Sequence, residues 1–381
     1  MMKIIFINPF GKGLGGGGYS LFKFAEGLAL RGHEVIIFGL SKDNKYLEGT
    51  SIPKNLQLFD RFYVPRKFKG AARLDKIVGY LFSRFTIEPY LRKNRADFIC
   101  GSLRTSAIAV SLLGKKYNIP SVNFVFETPP WMEHDLKERW FKEYKGSFKK
   151  SWERTKKAYL ATDILISNSA LSKKWCEKWL GDKKVADFVY PGITLSELEP
   201  IHVKKKKQVI YIGRLDPYKN IDIVIKALSA INNAPIFVIA GGGKEERKLR
   251  KMSIDLGVKC GFTGVINDAE KWKLIRESMF MVFPSSHEGF GMPPMEALAC
   301  EIPCLCSEKP IFREVYEDKV EYFKENDAED LRKKIEYLIK NPGYRNKRGK
   351  DGREYIEKGF SWKKSAEKIE KILISNLRKK K

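Results

Sequence analysis

Short apolar runs alternate with longer segments of helical periodicity along this chain, and many of the runs stop at glycine or proline. The first half shows runs at Lys3–Asn8, Val35–Phe38, Phe98–Cys100, Ser121–Phe126 and Ile164–Ser167, with a first helical pattern near Tyr19–Arg31. The second half repeats the scheme at Val209–Ile212, Ile236–Ala240 and Met279–Phe283. Apolar runs of this kind read as strands, and their alternation with helices predicts an α/β chain built on parallel sheets covered on both faces. With 381 residues, 43% of them hydrophobic, the chain is long enough for two to three domains with real cores. Lys204–Lys207 form a polar run between the two halves, which puts a boundary between Pro191 and Gln208. Ligands of open parallel sheets bind outside the carboxyl ends of the strands, and the informative residues fall there.

The run Pro284–Ala299, PSSHEGFGMPPMEALA, joins the strand candidate Met279–Phe283 to a helix whose first turn suits Pro293 or Pro294. Glu288 then sits in a glycine-relieved loop and Glu296 near the helix start, and the amides around Phe290, Gly291 and Met292 face outward, free to receive phosphate oxygens. A carboxylate accepts hydrogen bonds from two neighbouring hydroxyls at once, so one acid can hold a ribose and the other a hexose, with a diphosphate between them. The plainer alternative makes Glu296 a helix-dipole partner, contributing roughly 0.3–1 kcal/mol, and Glu288 a solvated loop acid. Upstream, Gln208–Ile212 runs into Gly213-Arg214-Leu215-Asp216-Pro217-Tyr218-Lys219-Asn220, where Arg214 and Lys219 bracket a turn and can clamp a diphosphate leaving group. A third strand candidate ends in Gly241, Gly242 and Gly243, where backbone can approach a ligand closely.

These residues resemble the retaining glycosyltransferase family 4, the glycosyl transferases group 1, which includes sucrose synthase and many bacterial and archaeal mannosyl- and glucosyltransferases. The resemblance rests on Gly213-Arg214-Leu215 with Lys219-Asn220, the Gly241–Gly243 loop, Phe262-Thr263-Gly264, and above all Glu288-Gly289-Phe290-Gly291-Met292-Pro293-Pro294-Met295-Glu296. In the first half Gly15–Gly18, Leu28–Val35, Ser167–Ser169 and Tyr190–Ile193 are similar to the family's pattern, and Phe360-Ser361-Trp362 opens its usual terminal helix. The resemblance implies the GT-B fold: two facing Rossmann-like domains with parallel sheets and an interdomain cleft, acceptor on residues 1–192 and donor on 193–360. It implies that residues 361–381 form a helix crossing back to the first domain, followed by a basic tail.

The same resemblance implies transfer of a hexose from a nucleotide diphosphate sugar to an acceptor hydroxyl, with retention at the anomeric carbon. Arg214, Lys219 and the amides near Phe290–Met292 would meet charge on the departing diphosphate, Glu288 would hold sugar hydroxyls and Glu296 the ribose, with Gly289 also against the donor. Gly16, Gly17, Gly213 and Gly242 would line the donor. Neither cofactor nor metal is expected, since fixed cations supply the positive charge. GDP-mannose is slightly favoured over a UDP-hexose on the form of the Glu288–Pro294 motif. Many family members carry a histidine after the strand Val122–Phe126, where this chain has Glu127; three roles stay open for it, an acceptor contact, an acid beside the reacting carbon, or a strand-end residue. Glu301 stands where the family commonly has glycine.

Gly11-Lys12-Gly13-Leu14-Gly15-Gly16 formally matches the dinucleotide fingerprint, but Val35–Phe38 leads to Gly39-Leu40-Ser41 with no acid to hold a ribose, which disfavours a nicotinamide oxidoreductase. Six cysteines with no zinc-like pairing to histidine imply packing roles and a reducing cytosol. No apolar stretch reaches the roughly eighteen residues of a spanning helix, and Met1–Phe10 reads as a strand rather than a secretory signal.

A formal charge of +26 asks for an anionic partner. The basic residues are spread along the chain without a nucleic-acid recognition module, so no specific nucleic acid is expected, although a noncatalytic basic membrane- or nucleic-acid-binding protein stays open as the alternative class. Two segments join basic and aromatic residues. Lys54–Arg95 holds eleven basic against three acidic residues, interleaved with Phe62, Tyr63, Phe68, Tyr80, Phe82 and Phe85. Trp131–Ala161 reads as helix broken near Gly146, with Trp140, Tyr144, Phe148 and Trp152 on one face, a stripe that favours core over ligand contact. With the tail Arg378–Lys381 these segments suggest a surface for anionic headgroups and a lipid-linked acceptor on the cytoplasmic face of a membrane.

Overall fold

The computed structural model describes residues 1–8, 16–40, 51–59, 83–132, 147–181, 183–194 and 203–378. The chain divides into two compact units, Met1–Gly192 with Trp362–Lys381, and Ile193–Ser361. Gly11, Gly13 and Gly15, residues 60–82 of the first basic aromatic segment, His134, Trp140, Tyr144, His202 and Lys379–Lys381 lie outside the described residues.

In chain order the first unit contains β1 (Lys3–Ile7), α1 (Gly16–Leu30), β2 (Glu34–Phe38), β3 (Leu56–Phe59), a π-helical turn Ser83–Ile87 leading into α2 (Glu88–Lys93), β4 (Phe98–Ser102), α3 (Leu103–Tyr117), β5 (Ser121–Val125), a 3-10 turn Pro130–Met132, α4 (Ser147–Leu160), β6 (Ile164–Ser167), α5 (Ala170–Leu180) and β7 (Asp187–Phe188). The strands form one sheet in the order β3-β2-β1-β4-β5-β6-β7, each neighbouring pair parallel. Ile4–Ile7, Val35–Ile37 and Phe98–Cys100 are almost wholly buried, as strands covered on both faces must be. The edge strands β3 and β7 escape the apolar-run signal because they are short and of mixed polarity. Of the segment Trp131–Ala161, residues 133–146 lie outside the described residues; Trp131 and Met132 belong to the 3-10 turn, and after Gly146 the chain is helical as α4. Trp152 is core, edge-to-face with Trp131 and Trp179 at centroid distances of 6.3 and 5.6 Å.

The second unit contains β8 (Gln208–Ile212), a 3-10 turn Pro217–Lys219, α6 (Ile221–Ser229), β9 (Ile236–Ala240), α7 (Glu246–Asp255), β10 (Cys260–Gly264), α8 (Asp268–Glu277), β11 (Phe280–Phe283), α9 (Met292–Ala299), β12 (Cys304–Ser307), α10 (Pro310–Tyr316), β13 (Glu321–Phe323), α11 (Ala328–Lys340) and α12 (Pro342–Gly359). Its sheet runs β10-β9-β8-β11-β12-β13, again parallel throughout. All six cysteines are free, and Cys304 and Cys306 are buried in β12. The last helix, α13 (Trp362–Arg378), returns to the first unit and packs on α1. A Cβ on Gly27 would lie 2.7 Å from that of Ala366, so only glycine allows the two helices to come this close. Trp362 packs edge-on against Phe24 and Tyr19 beside that contact.

Helix α9, which carries the second motif glutamate, is held from behind by α12. Cβ atoms on Gly349 and Gly352 would lie 2.1 Å from the Glu301 carbonyl and 2.5 Å from Leu298 Cδ2. After α9, Glu301 adopts φ +59°, its amide donates to Leu298 O and that of Ile302 to Ala297 O. That is the left-handed helix ending glycine favours, so the departure at Glu301 keeps the turn and puts a side chain where glycine is least strained. Glu301→Gly should therefore raise stability by about 0.5–1 kcal/mol, read as a melting temperature higher than wild type; an unchanged or lower one would refute the strain.

Candidate active site

Strands β8 and β11 are neighbours at the centre of the second sheet, with Val209 opposite Phe280 and Ile210 opposite Met281. From β8 the chain continues to one side, through β9 and β10, and from β11 to the other, through β12 and β13. The crevice beyond the carboxyl ends of these two strands is the topological switch point, the place where open α/β sheets bind ligands. The segments following them are Gly213–Asn220 and Pro284–Gly291.

Gly213–Leu215 packs backbone to backbone against the loop after β9. Gly213 N donates to Ala240 O, Leu215 N to Gly242 O and Glu245 N to Leu215 O. A Cβ on Gly241 would lie 1.9 Å from Gly213 O, and one on Gly243 2.4 Å from Leu215 O. Two of the three glycines thus serve the fit between loops rather than a ligand. At Gly242 a Cβ would meet only Val265 Cγ2, at 3.5 Å, so its absence of a side chain has no packing cause of that kind.

The 3-10 turn Pro217–Lys219, closed by Asn220 at φ +48°, turns Lys219 inward. Lys219 is 7% exposed, and its ammonium pairs with Glu288 Oε1 while lying 4.6 Å from the Tyr218 ring centroid and 5.6 Å from that of Phe283. Two aromatic faces and a carboxylate offset the cost of burying this cation. Ser286 ties the two strand ends together, its amide and hydroxyl both donating to Tyr218 O, at 2.9 and 3.0 Å. Ser285 Oγ donates to His287 O, and Ser307 Oγ to Ser285 O. His287 is buried with its ring edge-on to Tyr218. Arg214 is exposed; its guanidinium pairs with Asp216 Oδ2 at 3.0 Å and donates to the Tyr218 hydroxyl. Asp216 and Tyr218 lie within the motif, yet nothing in their spacing assigns them this role of orienting Arg214.

Gly291, at φ +89°, turns the chain into α9 and is buried against Phe312, where a Cβ would approach the ring to 2.7 Å. Tyr316 Oη donates to Gly291 O. The Phe290 side chain is buried against Phe360, so its contribution to a ligand is confined to the main chain. Pro293 and Pro294 remove two of the donors a helix start leaves open, which narrows the anion-binding edge there to the amides of Gly291 and Met292.

Glu296, expected near the helix start, is the fifth residue of α9, which is too far along for a first-turn dipole role. Its Oε1 instead accepts from the Lys271 ammonium of α8 at 2.9 Å, a partner that sequence spacing did not single out. In the first unit, Gly16 and Gly17 begin α1, the former exposed and the latter half-buried, and Glu127 is exposed two residues beyond β5. No group of histidine, cysteine, aspartate and glutamate suited to hold a metal ion occurs among the described residues.

A buried cation paired with one acid at a switch point, with a second acid on the helix that follows, fits an anionic ligand with a hydroxyl-rich end. The family model described as glycosyl transferases group 1 matches residues 197–355, and that described as glycosyltransferase family 4 matches residues 14–197. The chain belongs to glycosyltransferase family 4. The chain is similar to an O-antigen chain mannosyltransferase of Salmonella typhimurium, 26% identical over 167 residues, 42% of this chain and 46% of the relative. It spans roughly half the length of the curated relatives it matches, from 46% to 63% for the first three. In fold it is similar to sucrose-phosphate synthase from Thermosynechococcus elongatus, at a TM-score of 0.82 and 18% identity over 99% of this chain and 100% of the other. It is similar also to the Anabaena protein HepE in complex with UDP and glucose, at a TM-score of 0.76 and 17% identity over 98% and 100%. The GT-B fold, with two parallel-sheet Rossmann-like domains, is thus common to this family 4 chain and those proteins.

The close loop packing makes a prediction within this unit. Gly241→Ala should lower the melting temperature by several degrees, a cost of about 2 kcal/mol or more from a clash and a φ of +139°. Gly242→Ala should melt as wild type. Equal melting of the two variants would show that the backbone contact does not constrain the site.

Proposed function

We propose that this chain transfers a hexose from a nucleotide diphosphate sugar to an acceptor hydroxyl with retention of anomeric configuration, in the synthesis of a polysaccharide, glycolipid or lipid-linked glycan. The observation that carries this is the Lys219–Glu288 pair at the switch point of the second unit, with Glu296 on the helix that follows. In the donor complex Lys219 exchanges Glu288 for phosphate oxygens, and Glu288 is released to accept from sugar hydroxyls. As the bond from the anomeric carbon to the β-phosphate oxygen breaks, negative charge on the leaving diphosphate is met by Lys219, Arg214 and the amides of Gly291 and Met292. The acceptor oxygen bonds to the anomeric carbon on the face the diphosphate leaves, and its proton passes to the departing phosphate oxygen. That assignment needs neither a protein base nor a cofactor, and fixed cations take the place of a metal. Gly16 and Gly17 contribute main chain to the donor or acceptor, and Glu127 is the candidate on the acceptor side.

GDP-mannose is the favoured donor, supported by the motif form Glu288–Pro294 and by the mannosyltransferase relative; a UDP-hexose is the second reading, supported by the HepE complex. Calorimetry with GDP, UDP and their sugar conjugates, without added metal, should show selective binding of one nucleoside diphosphate that is lost in Glu296→Ala and Arg214→Ala. Lys219→Ala should lower turnover by about 10²-fold or more while still melting cooperatively. A folded K219A enzyme with normal rates would remove the clamp, and binding of nicotinamide dinucleotides in place of sugar nucleotides would bring back the oxidoreductase.

We place the reaction on the cytoplasmic face of a membrane, where the net charge of +26 would draw the chain to anionic headgroups and a lipid-linked acceptor. Phe85 is 64% exposed, and α4 presents Lys149, Lys150 and Lys157 to solvent. Among the described residues no helix is long and apolar enough to cross a membrane. Flotation with phosphatidylglycerol-containing vesicles at physiological salt should exceed that with phosphatidylcholine alone. Equal recovery would refute the electrostatic contact.

A further inference from the structure

The first turn of α8 is unusually well fixed. Asn267 Oδ1 accepts from the Glu270 amide at 2.8 Å, and the Glu270 carboxylate accepts from the Asn267 amide at 3.2 Å, a reciprocal capping box. Lys271, the next residue, points from this turn to α9, its ammonium 2.9 Å from Glu296 Oε1, 2.9 Å from Asp268 Oδ1 and 4.4 Å from the Trp272 ring centroid. The Lys271 and Glu296 side chains are only 16% and 12% exposed. Burial alone would lower the affinity of Lys271 for its proton, but the Glu296 and Asp268 carboxylates outweigh it and raise that affinity, so the residue stays charged at neutral pH. A buried ion pair contributes little net stability, because desolvation consumes most of the attraction; its lasting effect is to hold each partner in one orientation.

We propose that Lys271 is the positioning residue for Glu296: it occupies Oε1 and leaves Oε2 aimed to accept hydrogen bonds from the ribose hydroxyls of the nucleotide. The inference rests on the nucleotide-sugar reading above and adds the residue that sets how tightly the ribose is read. Two of the three ammonium hydrogens are used within the protein, so the cation's main duty is to the carboxylate and not to phosphate. Lysine here cannot be exchanged for an apolar residue of similar length without freeing Glu296 to rotate.

The test is calorimetry on the full chain with GDP and UDP and with their 2′,3′-dideoxy analogues, comparing wild type with K271M and K271R, alongside thermal melts. Wild type should bind its preferred nucleoside diphosphate about tenfold or more tightly than the dideoxy form, since hydrogen bonds to a charged carboxylate are at stake. In K271M that ratio should fall close to one while the dideoxy form binds as before, and K271R should restore most of it. K271Q, which keeps an N–H donor without the charge, supplies the second variant should K271M unfold. A folded variant that keeps the wild-type ratio, or that weakens both ligands equally, would overturn the positioning role and leave only a brace between α8 and α9. Failure of the wild type to bind either GDP or UDP would instead remove the nucleotide-sugar reading, and this inference with it.

Discussion

The contact between the Lys219 ammonium and the Glu288 carboxylate joins the ends of the two central strands of the second sheet, and the chemistry of the site follows from it. Either charge alone would be costly in so enclosed a position; together, with the Tyr218 and Phe283 rings beside the cation, they neutralise one another. The pair is also a store of two opposite functional groups held at the right separation. An anionic ligand bearing hydroxyls can take the cation with its anionic part and the carboxylate with its hydroxyls, replacing one pairing by two without exposing a bare charge. Ser286, bonded twice to Tyr218 O, makes this possible by locking the loop after β11 to the turn after β8.

Around that pair, glycine is used for fit more than for freedom. Gly241 and Gly243 let two loops meet through their backbones, Gly349 and Gly352 let α12 press on the end of α9, and Gly27 lets α13 press on α1. Each such contact replaces side-chain volume by main-chain approach, and each holds an element that carries or braces a candidate residue. Glu301 is the exception that clarifies the rule: it takes a glycine's conformation at the end of α9, at a cost in local strain, with a side chain that reaches Arg353 at 3.5 Å.

In the first unit the equivalent anchoring is electrostatic. Met2 N–H donates to His33 Nδ1, so Nε2 carries the proton and donates to Glu370 Oε1 at 2.8 Å, while Arg31 reaches Glu370 Oε2. Burial would push the Glu370 carboxyl up, but the hydrogen bonds from Arg31 and His33 prevail and hold it below the ordinary glutamate range. Residues more than three hundred positions apart thereby fasten α13 to the end of α1 and the start of β2.

Strand-helix alternation and the strand-end motifs were legible from residue order, because apolar periodicity and turn chemistry are local properties of the chain. Val35–Phe38, Ile164–Ser167 and Ile236–Ala240 needed no tertiary knowledge, and neither did the choice of Arg214, Lys219, Glu288 and Glu296 as the groups to watch. Local pattern is silent on partners. That Lys219 meets Glu288, that Lys271 meets Glu296, that Arg214 is held by Asp216 and Tyr218, and that two of three consecutive glycines face a neighbouring loop depend on which strands lie side by side. Strand order is a long-range outcome of packing, and spacing along the chain does not encode it: β8 and β11 are adjacent although two strands and three helices separate them in the sequence.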